Sequence, residues 1–320
     1  MAEIGYFLAS EEHGPNALVD IAVRAEAAGF RKVWISDHYH PWIEAQGSSP
    51  FVWAVIGGIS RATDLHVTTA VTCPTIRIHP AVIAHAAATA TIMLDGRFSL
   101  GVGSGENLNE HILGTVWPET NVRLEMLEEA IEIMRSLWSG GFKSHRGTHY
   151  TVQNARIYDL PDTPPPVLVS GFGPKATEVA GRIGDGYVTV TPDEEMIRLF
   201  KDSGGEGKPV TAGVKVCWAD DEKEARRLAY KLWPNAAVPG ELAQELPMPA
   251  HFEQASELVT EDHIAEGVAC GPDPERHVEA VKPFIEAGCD EIHISQMGDA
   301  QEGFFTFYEK ELRPRLEKLL

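Results

Sequence analysis

The stretch FSLGVGSGENLNE, residues 98–110, shows the unit from which this chain is built. The apolar run Phe98–Gly103 is typical of a short buried strand, and glycines then lead into the polar start of a helix. Similar runs recur along the whole chain. The predicted strands are eight: Ile4–Leu8, Lys32–Ser36, His66–Thr72, Phe98–Gly103, Pro166–Ser170, Gly186–Thr191, Thr211–Trp218 and Glu291–Gln296.

Helical patterns separate these strands, as at Pro80–Leu94, Arg123–Trp138 and Pro274–Ala287, and several of them end in glycine. Continuous apolar strands that alternate with helices indicate a parallel sheet buried on both faces. Eight such units favour an α/β fold closed as a (β/α)8 TIM barrel over an open sheet. We expect one domain over residues 1–320, with loop insertions at the C-terminal face at about 142–160 and 234–257.

The composition excludes several classes of partner. The chain has 320 residues with 47 acids and 27 Lys and Arg, which gives a formal net charge of −20. Such a surface lacks the cations that bind nucleic-acid phosphates, and an anionic membrane repels it. The opening MAEIGYFLAS has no basic region before an apolar run, and the four cysteines form no C-x-x-C pair. We therefore expect a cytoplasmic protein with reduced thiols, bound to neither nucleic acid nor membrane.

Active sites of such barrels lie at the carboxyl ends of the strands, so the residues after each strand are candidates. The second strand is followed by Asp37, His38, His40 and Trp42. A histidine here can exchange a proton near neutral pH, and the indole offers an N–H donor and a flat apolar face. The alternative is an ordinary aromatic loop with a structural Asp–His pair.

The third and fourth strands end in small residues, which allow a flat ring to approach the backbone. The candidates there are Ala70, Val71, Cys73, Gly105, Glu106 and Asn109. Glu106 begins a helix, so its carboxylate can point into the barrel mouth. The alternatives are a plain strand exit, a glycine turn with a helix cap, and an inert packing role for Cys73.

The fifth strand leads into glycines, a proline and a lysine at the start of a helix. The residues concerned are Ser170, Gly171, Phe172, Gly173, Lys175 and Ala176. Free amides at a helix N-terminus form an anion cradle that suits a cofactor phosphate, although an ordinary loop has the same composition. The histidines form no H-E-x-x-H or comparable ligand set, so we predict no metal.

Three motifs in this order resemble a known family. Asp37-His38-x-x-Pro41-Trp42, Thr72-Cys73-Pro74 and Gly103-x-Gly105-Glu106-x-x-Asn109-Glu110 are similar to the luciferase-like, F420-dependent oxidoreductases. The most similar subgroup contains the F420-dependent glucose-6-phosphate dehydrogenases and the F420-dependent secondary alcohol dehydrogenases. The resemblance runs nearly end to end. It implies the deazaflavin coenzyme F420 as cofactor and a homodimer.

The resemblance also implies residue roles. His38 would take the proton from the substrate hydroxyl, Trp42 would hold the substrate, and Glu106 would serve the reduced ring nitrogen of the deazaflavin. Asp37, Val71, Asn109 and the cradle at 171–176 would contact the cofactor. Members of this family carry a cis peptide bond that corresponds here to Ala70–Val71.

The substrate expectation rests on charge. The sugar-phosphate enzymes hold the phosphate with Lys and Arg side chains, but this chain has neither from Leu232 to Glu275. The His-Pro-Trp form at His40 is more similar to the alcohol dehydrogenases, and His40 and Cys73 are predicted to line the substrate pocket. We therefore expect oxidation of an alcohol or an unphosphorylated sugar. The alternatives are a sugar-phosphate dehydrogenase, an F420H2-dependent reductase, an FMN-dependent monooxygenase and a non-catalytic ligand-binding barrel.

Overall fold

Eight parallel strands close into a barrel in the computed structural model, which describes residues 2–320. The strands of the chain are β1 (Glu3–Leu8), β2 (Lys32–Ile35), β3 (His66–Thr69), β4 (Phe98–Val102), β5 (Lys143–Arg146), β6 (Thr151–Ala155), β7 (Val167–Ser170), β8 (Gly186–Thr189), β9 (Val210–Cys217), β10 (Ala269–Cys270) and β11 (Glu291–Gln296). The hairpin β5–β6 and the short β10 stand outside the ring. The other strands pair in sequence, β11 pairs with β1, and the predicted (β/α)8 barrel is confirmed.

Helices surround the barrel. Their bounds are α1 (Pro15–Ala27), α2 (Val52–Ala62), α3 (Pro80–Met93), α4 (Asn107–Glu110), α5 (Thr120–Trp138), α6 (Pro174–Ile183), α7 (Glu194–Phe200), α8 (Glu222–Leu232), α9 (Leu242–Glu245), α10 (Pro249–Ala255), α11 (Glu261–Gly267), α12 (Pro274–Glu286), α13 (Gln301–Phe307) and α14 (Arg313–Leu316). Helices α1, α3, α6 and α12 begin with proline, whose fixed φ suits the first helical position. Over residues 2–320, none of the helices has the length and apolar character needed to span a membrane.

Aromatic side chains fill the interior of the barrel. Trp34 stacks on His293 with ring centroids 4.6 Å apart, and Phe7 meets the same indole edge-on at 5.6 Å. Glycines on the neighbouring strands make room for them, because a Cβ at Gly213 would lie 2.9 Å from the Trp34 ring. This layer is a packed core rather than a channel, so it leaves the carboxyl ends of the strands as the place for a site.

The segment predicted as a hairpin or long loop at 142–160 forms the antiparallel pair β5–β6, with Gly147 bonded across the turn to Tyr150. The hairpin stands against α5, where the Glu129 carboxylate accepts three backbone N–H bonds from residues 148–150. The Tyr150 hydroxyl donates to the carbonyl of Thr75, at 2.8 Å, in the loop after β3. The hairpin therefore runs along the outer wall and contacts the mouth from the side.

The insertion at 234–257 contains α9 and α10 and lies over the loops that follow β2 and β4. Phe252 packs edge-on against Trp42, with ring centroids 5.2 Å apart. The Asn107 amide donates to the carbonyl of Glu245 at 2.9 Å. These contacts place the insertion at the carboxyl end of the barrel, as long excursions from a barrel often are.

Candidate active site

The loops after β2 and β4 bring His38 and Glu106 together. The His38 Nε2 atom lies 3.4 Å from Glu106 Oε2, and on another side it lies 3.5 Å from Glu11 Oε1. Glu11 follows β1, so the ends of three barrel strands supply this group. The imidazole and the Glu11 side chain are both buried, and a carboxylate flanks the reactive nitrogen on either side.

The His38 ring has a defined tautomer in its neutral form. Its Nδ1 atom lies 3.2 Å from the carbonyl oxygen of His40, which only accepts hydrogen bonds. The proton of the neutral ring therefore belongs on Nδ1, and Nε2 keeps its lone pair. This is the protonation pattern that a general base needs.

The Glu106 carboxyl is held by one hydrogen bond and lies in different surroundings from the imidazole. Its Oε2 atom accepts a hydrogen bond of 2.9 Å from the Asn109 amide, and 28% of its side-chain surface remains exposed. Burial raises the pKa of Glu106, and the Glu11 charge adds to that rise, whereas His38 and Asn109 oppose it. A carboxyl with a raised pKa retains its proton at a higher pH than a solvated one, so it can act as an acid beside a base.

Asn109 joins the two loops. Its Oδ1 atom accepts from the backbone N–H groups of Tyr39 and His40, at 2.8 and 3.2 Å, while its amide nitrogen donates to Glu106. Both ends of this amide are thus engaged with the protein. The structure shows Asn109 positioning Glu106 against the His38 loop.

Trp42 and His40 take different places in the same loop. The Trp42 ring lies 4.9 Å from that of His38 and forms an apolar wall beside the imidazole. His40 points towards α4, where its Nδ1 atom lies 2.9 Å from the Leu108 carbonyl and its ring stacks on His111. Of the two histidines, His38 is the one whose free nitrogen meets the carboxylates.

Below these groups, the end of β3 packs against the glycines after β4. The peptide bond between Ala70 and Val71 is cis, as the resemblance implied. Cys73 is buried, its sulfur lies 2.8 Å from the Thr75 hydroxyl, and a Cβ at Gly105 would lie 2.5 Å from it. Burial raises the pKa of the Cys73 thiol, and the nearby Glu110 raises it further, so the thiol stays protonated and packs under the loops.

The predicted anion cradle lies at the start of α6. No side chain caps this helix, and its first residues, Pro174 to Ala176, present the amides of Lys175 and Ala176. A Cβ at Gly171 would lie 2.8 Å from the Ala176 carbonyl carbon, so the turn requires glycine there. The Tyr187 hydroxyl donates to the Gly171 carbonyl at 2.5 Å and fixes the loop.

Lys175 and Phe172 form the outer side of the cradle. The ammonium of Lys175 lies 3.1 Å from the Asn121 side-chain oxygen, and the Phe172 ring is 52% exposed.

Across residues 2–320, His, Cys, Asp and Glu form no cluster of three or more that could hold a metal ion.

The luciferase-like monooxygenase family matches residues 2–291 of this chain. The chain belongs to that family. An F420-dependent glucose-6-phosphate dehydrogenase of Microbacterium testaceum is 34% identical over 327 residues, which cover 98% of this chain and 97% of the relative. The corresponding enzyme of Amycolatopsis mediterranei is 32% identical over 333 residues and 100% of both chains. An F420-dependent secondary alcohol dehydrogenase, solved with an F420–acetone adduct, superposes with a TM-score of 0.90 at 29% identity, over 97% of each chain.

In this luciferase-like barrel, a buried ion cluster ties the site loops together. Arg77 donates to Asp37 Oδ1 at 2.9 Å, and its Nε atom lies 3.5 Å from Glu110 Oε1. Its backbone N–H donates to Glu110 Oε2 at 2.5 Å, while Thr72 donates to Asp37 Oδ2 at 2.7 Å. Asp37 adjoins His38 and Glu110 adjoins Asn109, so the cluster holds the loops after β2 and β4 in place on the two sides of the site.

The strand-end rule, by which the residues after each predicted strand are candidates, identified His38, Trp42 and Glu106. It missed Glu11 and Arg77. Glu11 follows the first strand directly, in Ser10-Glu11-Glu12-His13, and applying the same rule to that strand finds it. Arg77 lies farther along the loop after β3, in Ile76-Arg77-Ile78, where a lone arginine carries no local signal of two buried partners.

We expect Arg77→Met to lower the free energy of unfolding by about 3–5 kcal/mol, because it leaves two buried carboxyls without their partner. The Arg77 side chain is 6% exposed, and those of Asp37 and Glu110 are fully buried. Denaturant unfolding followed by circular dichroism measures the change.

The matched control is Arg135→Met, which removes an exposed ion pair to Asp185 and should cost less than about 1 kcal/mol. Equal stability of the two variants would contradict a tying role for the Arg77 cluster.

Proposed function

We propose that this chain is an F420-dependent dehydrogenase that transfers a hydride from an alcohol or an unphosphorylated sugar to the deazaflavin. One observation carries the proposal: Nε2 of the buried His38 lies 3.4 Å from Glu106, a carboxyl of raised pKa. Alcohol oxidation needs a base for the hydroxyl proton and an acid for the electron-rich cofactor, and these two groups meet both needs. The F420-dependent relatives support the choice of cofactor.

The residues present fit a phosphate-bearing cofactor with a flat ring. The amides of Lys175 and Ala176 at the α6 N-terminus suit its phosphate. Glycines at the end of β4 let the segment after β3 pack closely against that strand, since a Cβ at Gly103 would lie 2.9 Å from Val71. The half-buried Ala70 and Val71 would support the ring face. When bound, F420 accepts a hydride.

The chain's own residues perform the rest of the reaction. His38 Nε2 takes the proton of the substrate hydroxyl, and Glu11 lies 3.5 Å away to stabilise the imidazolium that results. Trp42 forms an apolar wall that excludes water from the reacting carbon, and the buried Phe252 packs behind it. Glu106 holds a proton at its carboxyl for the cofactor side, with Asn109 fixing its direction.

Charge supports a neutral substrate. Arg123, which contacts the insertion, already donates hydrogen bonds to Glu245, Gln244 and the Pro118 carbonyl. Lys201, on the helix after β8, lies beside Gly288, which precedes β11 at the opposite end of the barrel. A phosphate dianion at the mouth would therefore meet one unpaired ammonium, that of Lys215, together with several carboxyls, which disfavours its binding.

A sugar-phosphate dehydrogenase is the second candidate, because relatives of that description cover nearly the whole chain. We expect kcat/KM with F420 to be higher for neutral alcohols or free sugars than for glucose 6-phosphate. The measurement is loss of F420 absorbance across a substrate panel, with FMN as the cofactor control. Saturation by micromolar glucose 6-phosphate, with no better neutral substrate, would favour the second candidate.

His38→Ala should reduce turnover by about 10²–10⁴-fold, the usual share of a general base, and leave F420 affinity nearly unchanged. Stopped-flow F420 reduction and fluorescence titration measure the two quantities. His40→Ala is the matched control, because His40 points away from the carboxylates and bonds Leu108. If His38→Ala kept turnover and His40→Ala lost it, the base would be His40.

Glu106→Gln should lower turnover and remove the high-pH limb of the kcat profile. Since burial raises the pKa of Glu106, the wild-type carboxyl keeps its proton above the usual range and loses it as pH rises further. Glutamine keeps one acceptor oxygen but carries no exchangeable acid proton. Superimposable pH profiles of the two proteins would mean that Glu106 acts only as an acceptor.

A further inference from the structure

A lysine inside the barrel mouth has no role in the steps above. Lys215 lies on β9, and its half-buried side chain places Nζ 4.2 Å from the centroid of the Trp233 ring. Across residues 2–320, no carboxylate oxygen lies within 4.0 Å of Lys215 Nζ, the distance that defines an ion pair. The ammonium therefore rests on an aromatic face, which attracts a cation but accepts none of its three N–H bonds as an oxygen would.

The acids around Lys215 are committed to other donors. Glu12 accepts from the Trp233 indole N–H at 2.6 Å and from the backbone N–H of Gly298 at 2.5 Å. Glu11 accepts from the Ser36 hydroxyl at 2.7 Å. Burial lowers the pKa of Lys215, although the charges of Glu11, Glu12 and Glu106 oppose that change. The Lys215 ammonium therefore needs a hydrogen-bond acceptor, and a bound substrate can supply one.

Lys215 and His38 border the same space. Lys215 Nζ lies over the Trp233 ring, whose N–H donates to Glu12, and the adjacent Glu11 lies 3.5 Å from His38 Nε2. Trp42 packs against the apolar cluster that contains Trp233, so the two indoles belong to one wall that runs from His38 to Lys215. A substrate whose hydroxyl meets His38 therefore has Lys215 within reach of its neighbouring atoms.

We propose that Lys215 donates a hydrogen bond to a second, neutral oxygen of the substrate, next to the carbon that is oxidised. The enzyme would then prefer diols and other polyhydroxy compounds over monohydric alcohols. This inference rests on the proposed dehydrogenase function.

The surrounding charge favours a neutral oxygen over an anionic one. The charges of three carboxyls, Glu11, Glu12 and Glu106, act on this one ammonium. Burial raises the pKa of Glu12 to about 7, which shows that these surroundings disfavour a negative charge, and a substrate anion would meet the same penalty. A hydroxyl accepts from Lys215 without that repulsion, whereas a carboxylate or phosphate does not.

Three substrates of the form CH3–CH(OH)–X test this directly: 2-propanol, 1,2-propanediol and lactate, in which X is methyl, hydroxymethyl and carboxylate. Wild-type kcat/KM with F420 should be highest for the diol. In Lys215→Met, the ratio of kcat/KM for the diol to that for 2-propanol should fall by about 10- to 100-fold, the effect of one hydrogen bond to a charged group. Lys223→Met, at an exposed position of α8, is the matched control and should keep the wild-type ratio.

Each outcome decides between the proposals. Turnover of 2-propanol with no gain for the diol in the wild-type enzyme overturns the Lys215 inference alone, and it needs no variant to fold. An equal loss on both alcohols in Lys215→Met, with F420 binding retained, also overturns it. A preference for lactate overturns the neutral-oxygen part. If none of the three substrates and no free sugar reduces F420, the proposed dehydrogenase function is wrong, and the Lys215 inference is wrong as well.

Discussion

The site depends on two buried carboxyls that share one guanidinium. Arg77 links Asp37, in the loop after β2, to Glu110, in the loop after β4, and Arg77 itself belongs to the loop after β3. Three consecutive strand ends are thereby held in register without a covalent link. Asp37 adjoins His38, and Glu110 adjoins Asn109, which bonds Glu106, so the cluster helps to set the geometry of His38 and Glu106. A buried charge without its partner is costly, and this cost makes the arrangement specific.

The second feature of the mouth is an excess of acids over free cations. Glu11, Glu12 and Glu106 gather around one imidazole and one ammonium. Burial raises the pKa of both Glu12 and Glu106, so the low-dielectric surroundings reduce the negative charge that the sequence composition suggests. In these surroundings Glu106 retains its proton to a higher pH than a solvated carboxyl although it lies only 3.4 Å from His38 Nε2.

The sequence predicted what local patterns encode. Strand periodicity predicted all eight barrel strands, and the strand-end rule predicted His38, Trp42 and Glu106 because each lies within a few residues of a strand exit. The Arg77 cluster was not predictable in this way, since its partners lie 40 and 33 positions away in the chain. Lys215 sits within a strand that was predicted correctly, but one sequence does not tell which face of that strand meets the mouth. The hairpin β5–β6 was predicted as an element, whereas its place along α5 depends on Glu129 contacts that no local pattern shows.

The aromatic layer of Trp34, His293 and Phe7 also governs how molecules are exchanged. Because this layer closes the barrel from below, any ligand of the candidate site enters and leaves through the mouth. The insertion at 234–257 lies over the mouth, where its buried Phe252 packs against Trp42. Whichever molecule lies deeper must arrive first and leave last, so the packing of the barrel interior imposes an order on binding and release.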